Sequence, residues 1–125
     1  YQLLKKRPDY HKISSSELPD FKKHKNFVLN HPYRSWFLVS EKNLFVGSIY
    51  LTFQNVIGIY LNEEKLDNFE DCLNCIRENF FPLDFIPSVR NSNFLINVSS
   101  QNNYYEKLLL NYGAKEIEKT FILHN

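Results

Sequence analysis

Residues 58 to 76 read GIYLNEEKLDNFEDCLNCI. The first four continue an apolar run that begins at Val56, rich in β-branched and aromatic side chains. Phe69, Cys72, Leu73, Ile76 and Phe80 then recur at the spacing of one face of an α-helix. The stretch is therefore a strand, a turn and a helix, and it places the chain among α/β folds. Its turn has no glycine, and between Asn62 and Asp71 five acids, Glu63, Glu64, Asp67, Glu70 and Asp71, stand against one base, Lys65. Strand-to-helix turns are common ligand sites, because free N–H groups at a helix start attract phosphates. These acids suit the helix itself instead: Asp67 stands where an N-cap is needed, Glu70 follows at capping-box spacing, and Asp71 favours the positive end of the dipole.

Towards the N-terminus, RSWFLVS, NLFVGSIYLT and VIGIYL are strand-like runs separated by EKN and QN, breaks short enough for hairpin turns. They predict a three-stranded antiparallel meander. Its third run, Val56 to Leu61, is apolar at nearly every position and belongs in the centre, covered on both faces. The first 34 residues read as two polar helices, with Asp20 after Pro19 as an N-cap and His24 at the edge of the core. YQLLKKR reads as a helix already under way, so the expectation is a single domain over residues 1–125 that has lost its first strand.

Towards the C-terminus, a helix from about Asp67 to Phe80 leads into FPLDFIPSVRN, where two prolines enforce an irregular link. NFLINVS, residues 93 to 99, reads as a buried strand. NNYYEKLLLNYG reads as a helix in which Asn103 and Glu106 have capping-box spacing. Tyr105, Leu108, Leu109 and Tyr112 share one of its faces, and Gly113 stops it. KEIEKTFIL closes the chain as a strand. The crossover from Val56 to Ser99 requires its two flanking strands to lie parallel. The fold class is thus α/β (α+β): a three-layer sandwich, with a mixed, mostly antiparallel sheet, a central parallel pair and helices on both faces.

Composition supports one folded domain, with 43% hydrophobic and 16% aromatic residues in 125. Net charge is +1, but residues 1 to 34 hold eight Lys/Arg against three Asp/Glu, and residues 35 to 125 seven against eleven. KKRP and FKKHK lack interleaved aromatics and any nucleic-acid motif, so nucleic acid is not an expected partner. No run approaches the roughly 20 apolar residues of a membrane span and no signal peptide opens the chain, which points to the cytoplasm and away from membranes. Cys72 and Cys75 have no second pair, so no metal is expected and both thiols read as core or near-core. NVS at Asn97 matches a glycosylation acceptor, which a cytoplasmic protein does not use.

VGSIYLTFQNVIGIYL, a helix, and then FLINVSSQNNYYEKLLLNYGAKEIEKTFIL together resemble the GNAT superfamily of acetyl-CoA-dependent N-acetyltransferases. The likeness covers roughly residues 34 to 123, and Asn102 and Gly113 have the spacing of the Asn and Gly in that family's Asn-helix-Gly segment. The resemblance implies that the backbone of Ile57, Gly58, Ile59, Tyr60 and Leu61, together with Asn102, contacts acetyl-CoA. The family's base has Glu63 or Glu64, just past the inner strand, as candidates here, and the acid that protonates the departing thiolate has Tyr105 or Tyr112, near the place where the family's late-helix Tyr would fall. FKKHKNFVLNHPYRSWFLV is similar to members that acetylate amino groups of sugar nucleotides. The implied partners are a small-molecule amine and a second subunit, of the same or another chain. The family's glycine-rich pyrophosphate turn would fall near KLDNFED, which has no glycine and no arginine; its late-helix Tyr would fall on Leu109, and the aromatic after its glycine on Ala114. The function expected is direct acetyl transfer to a primary amine, an amino sugar for example. The alternative is a catalytically inactive module of the same fold that serves in binding or assembly.

Overall fold

The computed structural model describes residues 32–62 and 68–125. Three strands, β1 (Ser35–Glu41), β2 (Leu44–Leu51) and β3 (Val56–Leu61), form the antiparallel meander. Lys42 and Asn43, at φ 50° and 66°, make the two-residue hairpin between β1 and β2, with the left-handed backbone that matches strand twist. A register shift between Val39 and Ser40 bends β1. After helix α1 (Phe69–Asn79), a short strand β4 (Leu95–Ile96) pairs parallel with β3, and helix α2 (Asn103–Tyr112) follows. The sheet runs β1-β2-β3-β4. The chain is therefore α+β with a mixed sheet, and the crossover produces the parallel pair expected of it.

Period-2 alternation sends Ile49 and Leu51 of β2 and Ile57 and Leu61 of β3 to one face. There they meet Phe69, Cys72, Leu73 and Ile76 of α1 and Tyr105 and Leu109 of α2 in one buried cluster. The rings of Phe69 and Tyr105 lie 5.1 Å apart. Arg77 donates to the Tyr112 hydroxyl, which donates to Asn74, so α1 and α2 lie side by side. Both described helices thus cover the same face; the helices expected within residues 1–31 lie outside the described residues. On the opposite face the Tyr33 ring stacks on Tyr50 at 4.0 Å and meets Trp36 edge-on at 5.2 Å. The Tyr50 ring occupies the place a side chain at Gly58 would take.

Four expectations are corrected. Residues 93–99 do not form a buried strand: only Leu95 and Ile96 pair with β3, and they are half-buried. KEIEKTFIL is not a strand, because no ladder of the sheet includes residues 115–123, and Ile117, Phe121, Ile122 and Leu123 stand exposed. The α2 cap is Asn102 rather than Asn103: the Asn102 side chain accepts from the Tyr105 N–H at 3.1 Å. Cys72 is buried, but Cys75, three residues on, faces solvent. The Gly113 stop stands as read, at φ 107°, in the left-handed region that favours glycine. Asp67 and the other residues of 63–67 lie outside the described residues. At the cap of α1 stands Asn68, whose side chain makes no capping bond and donates to Glu41 instead.

Candidate functional site

The ladder between β3 and β4 is two residues long, Val56 with Leu95 and Ile57 with Ile96, while β3 continues to Leu61. The ladder therefore ends at Ile57, where β4 itself ends at Ile96 and β3 runs on. Pairing with β2 takes the backbone of alternate β3 residues, as in the bond from the Thr52 N–H to the Val56 carbonyl. The carbonyl of Asn55 faces β4, where it accepts from the Leu95 N–H at 2.9 Å. By the same alternation, the main-chain groups of Ile57, Ile59 and Leu61 face the β4 side. The Leu61 N–H is met there by the Tyr105 hydroxyl, 2.9 Å away. Tyr105 is only 4% exposed, so its ring packs in the core while its hydroxyl reaches the β3 edge beyond the ladder.

The side chains of the residues whose backbone is expected to meet acetyl-CoA have structural work in this arrangement. Ile57 and Leu61 belong to the core, and Ile59 packs against it. Tyr60 is buried on the opposite face, where its hydroxyl donates to Asn62 at 3.3 Å. Gly58 makes room for the Tyr50 ring. What β3 can offer a ligand is backbone, as the resemblance implies. Asn102 is buried and holds the start of α2. That start carries Tyr105 to the strand edge, so Asn102, Tyr105 and Leu61 form one connected unit. Glu63 lies outside the described residues. Of the acids beyond β3, Glu70 and Asp71 occupy the first turn of α1 and are exposed.

Asn55 escaped notice in the sequence. It is fully buried at φ 66°, and its Nδ2 donates to the carbonyls of Leu83 and Asn91 while its Oδ1 accepts from the Leu83 N–H. One side chain thus ties the turn between β2 and β3 to the irregular link that leads into β4. Arg90 reinforces the tie by donating to the carbonyls of Asp84 and Phe53. These bonds hold the link beside the turn from which β3 starts. The only signal in the sequence was an Asn next to a turn, a residue type that tolerates left-handed backbone.

Burial pushes the Cys72 thiol up to about 11, helped by the nearby Cys75 and the Asp71 carboxylate, so at neutral pH it is a protonated core side chain. Among the described residues no three His, Cys, Asp or Glu side chains gather as a metal site. Among the same residues, no helix is long and apolar enough to cross a membrane. Set against protein families, curated proteins and solved structures, the chain matches none, so its function is read from its own residues.

Proposed function

We propose that the chain is an N-acetyltransferase-like domain of the GNAT type, a three-layer sandwich that takes acetyl-CoA and passes the acetyl group directly to a primary amine of a small molecule, an amino sugar for example. The observation that carries this reading is the short parallel ladder, with β3 running on past its last pair with β4. An extended, amide-bearing chain such as a pantetheine arm adds to a strand edge by backbone hydrogen bonds, without help from side chains. The pyrophosphate fits less well. Glu70 and Asp71 stand in the first turn of α1, and a carboxylate a few ångströms from a phosphate opposes it by about 1 to 4 kcal/mol at effective dielectrics of roughly 80 to 20. Binding therefore rests on the arm of the donor rather than on its phosphates.

In this reading Glu63 removes a proton from the ammonium, directly or through water. The amine nitrogen bonds to the thioester carbon as the carbon–sulfur bond breaks, Tyr105 supplies a proton to the thiolate, and the proton that the nitrogen sheds on becoming an amide returns to the phenolate through water. A second reading, an inactive module of the same fold, is favoured by the acidic start of α1.

Calorimetric titration with acetyl-CoA at millimolar concentration separates these readings from everything else: no heat and no thermal shift remove the donor from the account. Where the donor binds, thiol release in the presence of amines decides between enzyme and module. Transfer above the buffer rate, lowered in Tyr105→Phe with donor binding retained, is expected of the enzyme.

A further inference from the structure

β3 turns its main chain in two directions. Val56, Gly58 and Tyr60 bond to β2, and so does Asn62 just past the strand: the Thr52 N–H meets the Val56 carbonyl and the Asn62 N–H the Val46 carbonyl, each at 2.9 Å. Ile57, Ile59 and Leu61 face the other way, and the β4 ladder reaches only the first of them. Leu61 is 0% exposed, so its N–H has no water to turn to and is costly to leave unmet. Its acceptor belongs to neither strand. It is the Tyr105 hydroxyl oxygen, 2.9 Å away, the distance at which a carbonyl of an added strand would stand. Tyr105 is held at this post from two sides, with its own N–H on the Asn102 side chain at 3.1 Å and its ring 5.1 Å from that of Phe69. A side chain thus fills the place of a strand at the far end of the edge.

We infer that this contact is a stopper that acetyl-CoA itself removes: in the free chain the Tyr105 hydroxyl is parked on the Leu61 N–H, and a carbonyl of the incoming pantetheine arm takes its place. The inference rests on the proposed function and concerns the control of the same site. An added amide chain bonds to every second residue of the strand it joins. With Ile57 already matched to Ile96, the arm has Ile59 and Leu61 to bond with if the hydroxyl withdraws, and Ile59 alone if it stays. Exchange keeps the buried N–H satisfied throughout, since one N–H···O bond replaces another of similar strength. It also ties the acid to its donor. The hydroxyl that protonates the thiolate is set loose by the arm that brings the thioester, so Tyr105 leaves its post only when there is something to protonate.

Tyr105→Phe keeps the ring and loses the oxygen, and nuclear magnetic resonance follows the Leu61 amide. In the free variant this amide proton is expected to move upfield, as its acceptor is gone, and to return downfield when acetyl-CoA is added. Calorimetry is expected to show acetyl-CoA binding the variant about threefold to tenfold more tightly than wild type, because it no longer competes with a hydrogen bond of ordinary strength. Should the variant fail to fold, wild type carries the test: its Tyr105 ring signals are expected to shift as acetyl-CoA binds. A Leu61 amide that stays upfield in the donor-bound variant, an affinity no higher than that of wild type, or wild-type Tyr105 signals unmoved by bound donor overturns the inference and leaves the proposed function standing. Binding to the variant alone supports the stopper and removes acetyl-CoA from the account of the wild-type chain. Binding to neither form overturns both.

Discussion

Asn55 ties its turn to two points of the link, Leu83 and Asn91, with one amide group. Replacing it by Ala removes three neutral hydrogen bonds at about 1 kcal/mol each, and leaves the Leu83 and Asn91 carbonyls without their donor. Asn55→Ala is expected to lower unfolding free energy by about 3 kcal/mol in urea titration. Asn55→Asp should cost at least as much, since a carboxylate would face two carbonyls. Gly58 yields a second expectation. A methyl group there runs into the Tyr50 ring, which is already stacked on Tyr33. Gly58→Ala should cost about 1 to 3 kcal/mol through overpacking, and near-ultraviolet circular dichroism should report the displaced tyrosines. Neither role was legible in the sequence. A turn Asn advertises its backbone but not the carbonyls it will meet, which lie 28 and 36 residues away; Gly58 read as strand backbone because the ring that fills its space belongs to another strand.

At the scale of elements, helices were more legible than strands. The stripe Phe69, Cys72, Leu73, Ile76 is the buried face of α1, because a helix needs only one neighbour to bury one stripe. Thiol chemistry reads that face directly: exposed Cys75 should react with a disulfide reagent in the native protein and buried Cys72 only on unfolding, so native protein should yield one reactive thiol and denatured protein two. Two equally reactive thiols in the native protein would show that α1 is turned from the face described. Strands need partners on their edges, and the sequence holds no record of which edges are met. NFLINVS and KEIEKTFIL both have strand composition, yet β3 takes up only Leu95 and Ile96 of the first and nothing of the second. Capping erred by one residue at α2 because Asn102 and Asn103 are adjacent and equally suitable; the bond to the Tyr105 N–H selects the first.

For the whole molecule, the sign of the Cys72 shift predicts a pH profile. Its thiol ionises at about 11 in the fold, against 9.0 without the fold's burial. In the range between, the unfolded chain releases a proton that the folded chain keeps, so the folded state binds more protons and stability falls as pH rises. Its contribution is whole below pH 9 and is lost on the way to about 11. Tyrosines titrate in the same range, so the measurement is the difference between wild type and Cys72→Ala: wild type should lose more stability over this interval, and equal losses would refute the assignment. The parallel pair itself was legible, because a strand–helix–strand crossover permits little else. The length of the pair was not, since the link before β4 holds prolines that announce only irregularity.

That short ladder also orders events in time. β1, β2 and β3 are joined by tight turns, and such hairpins close within about 1 to 10 μs. β4 reaches β3 only after the whole segment from Asn62 to Phe94 has been gathered, and it gains two residue pairs for doing so. The entropy of closing that loop falls due before its few contacts can offset it. The meander is thus expected to form early and β4 late, closed by an amide at Asn55 whose side-chain partners lie in the link.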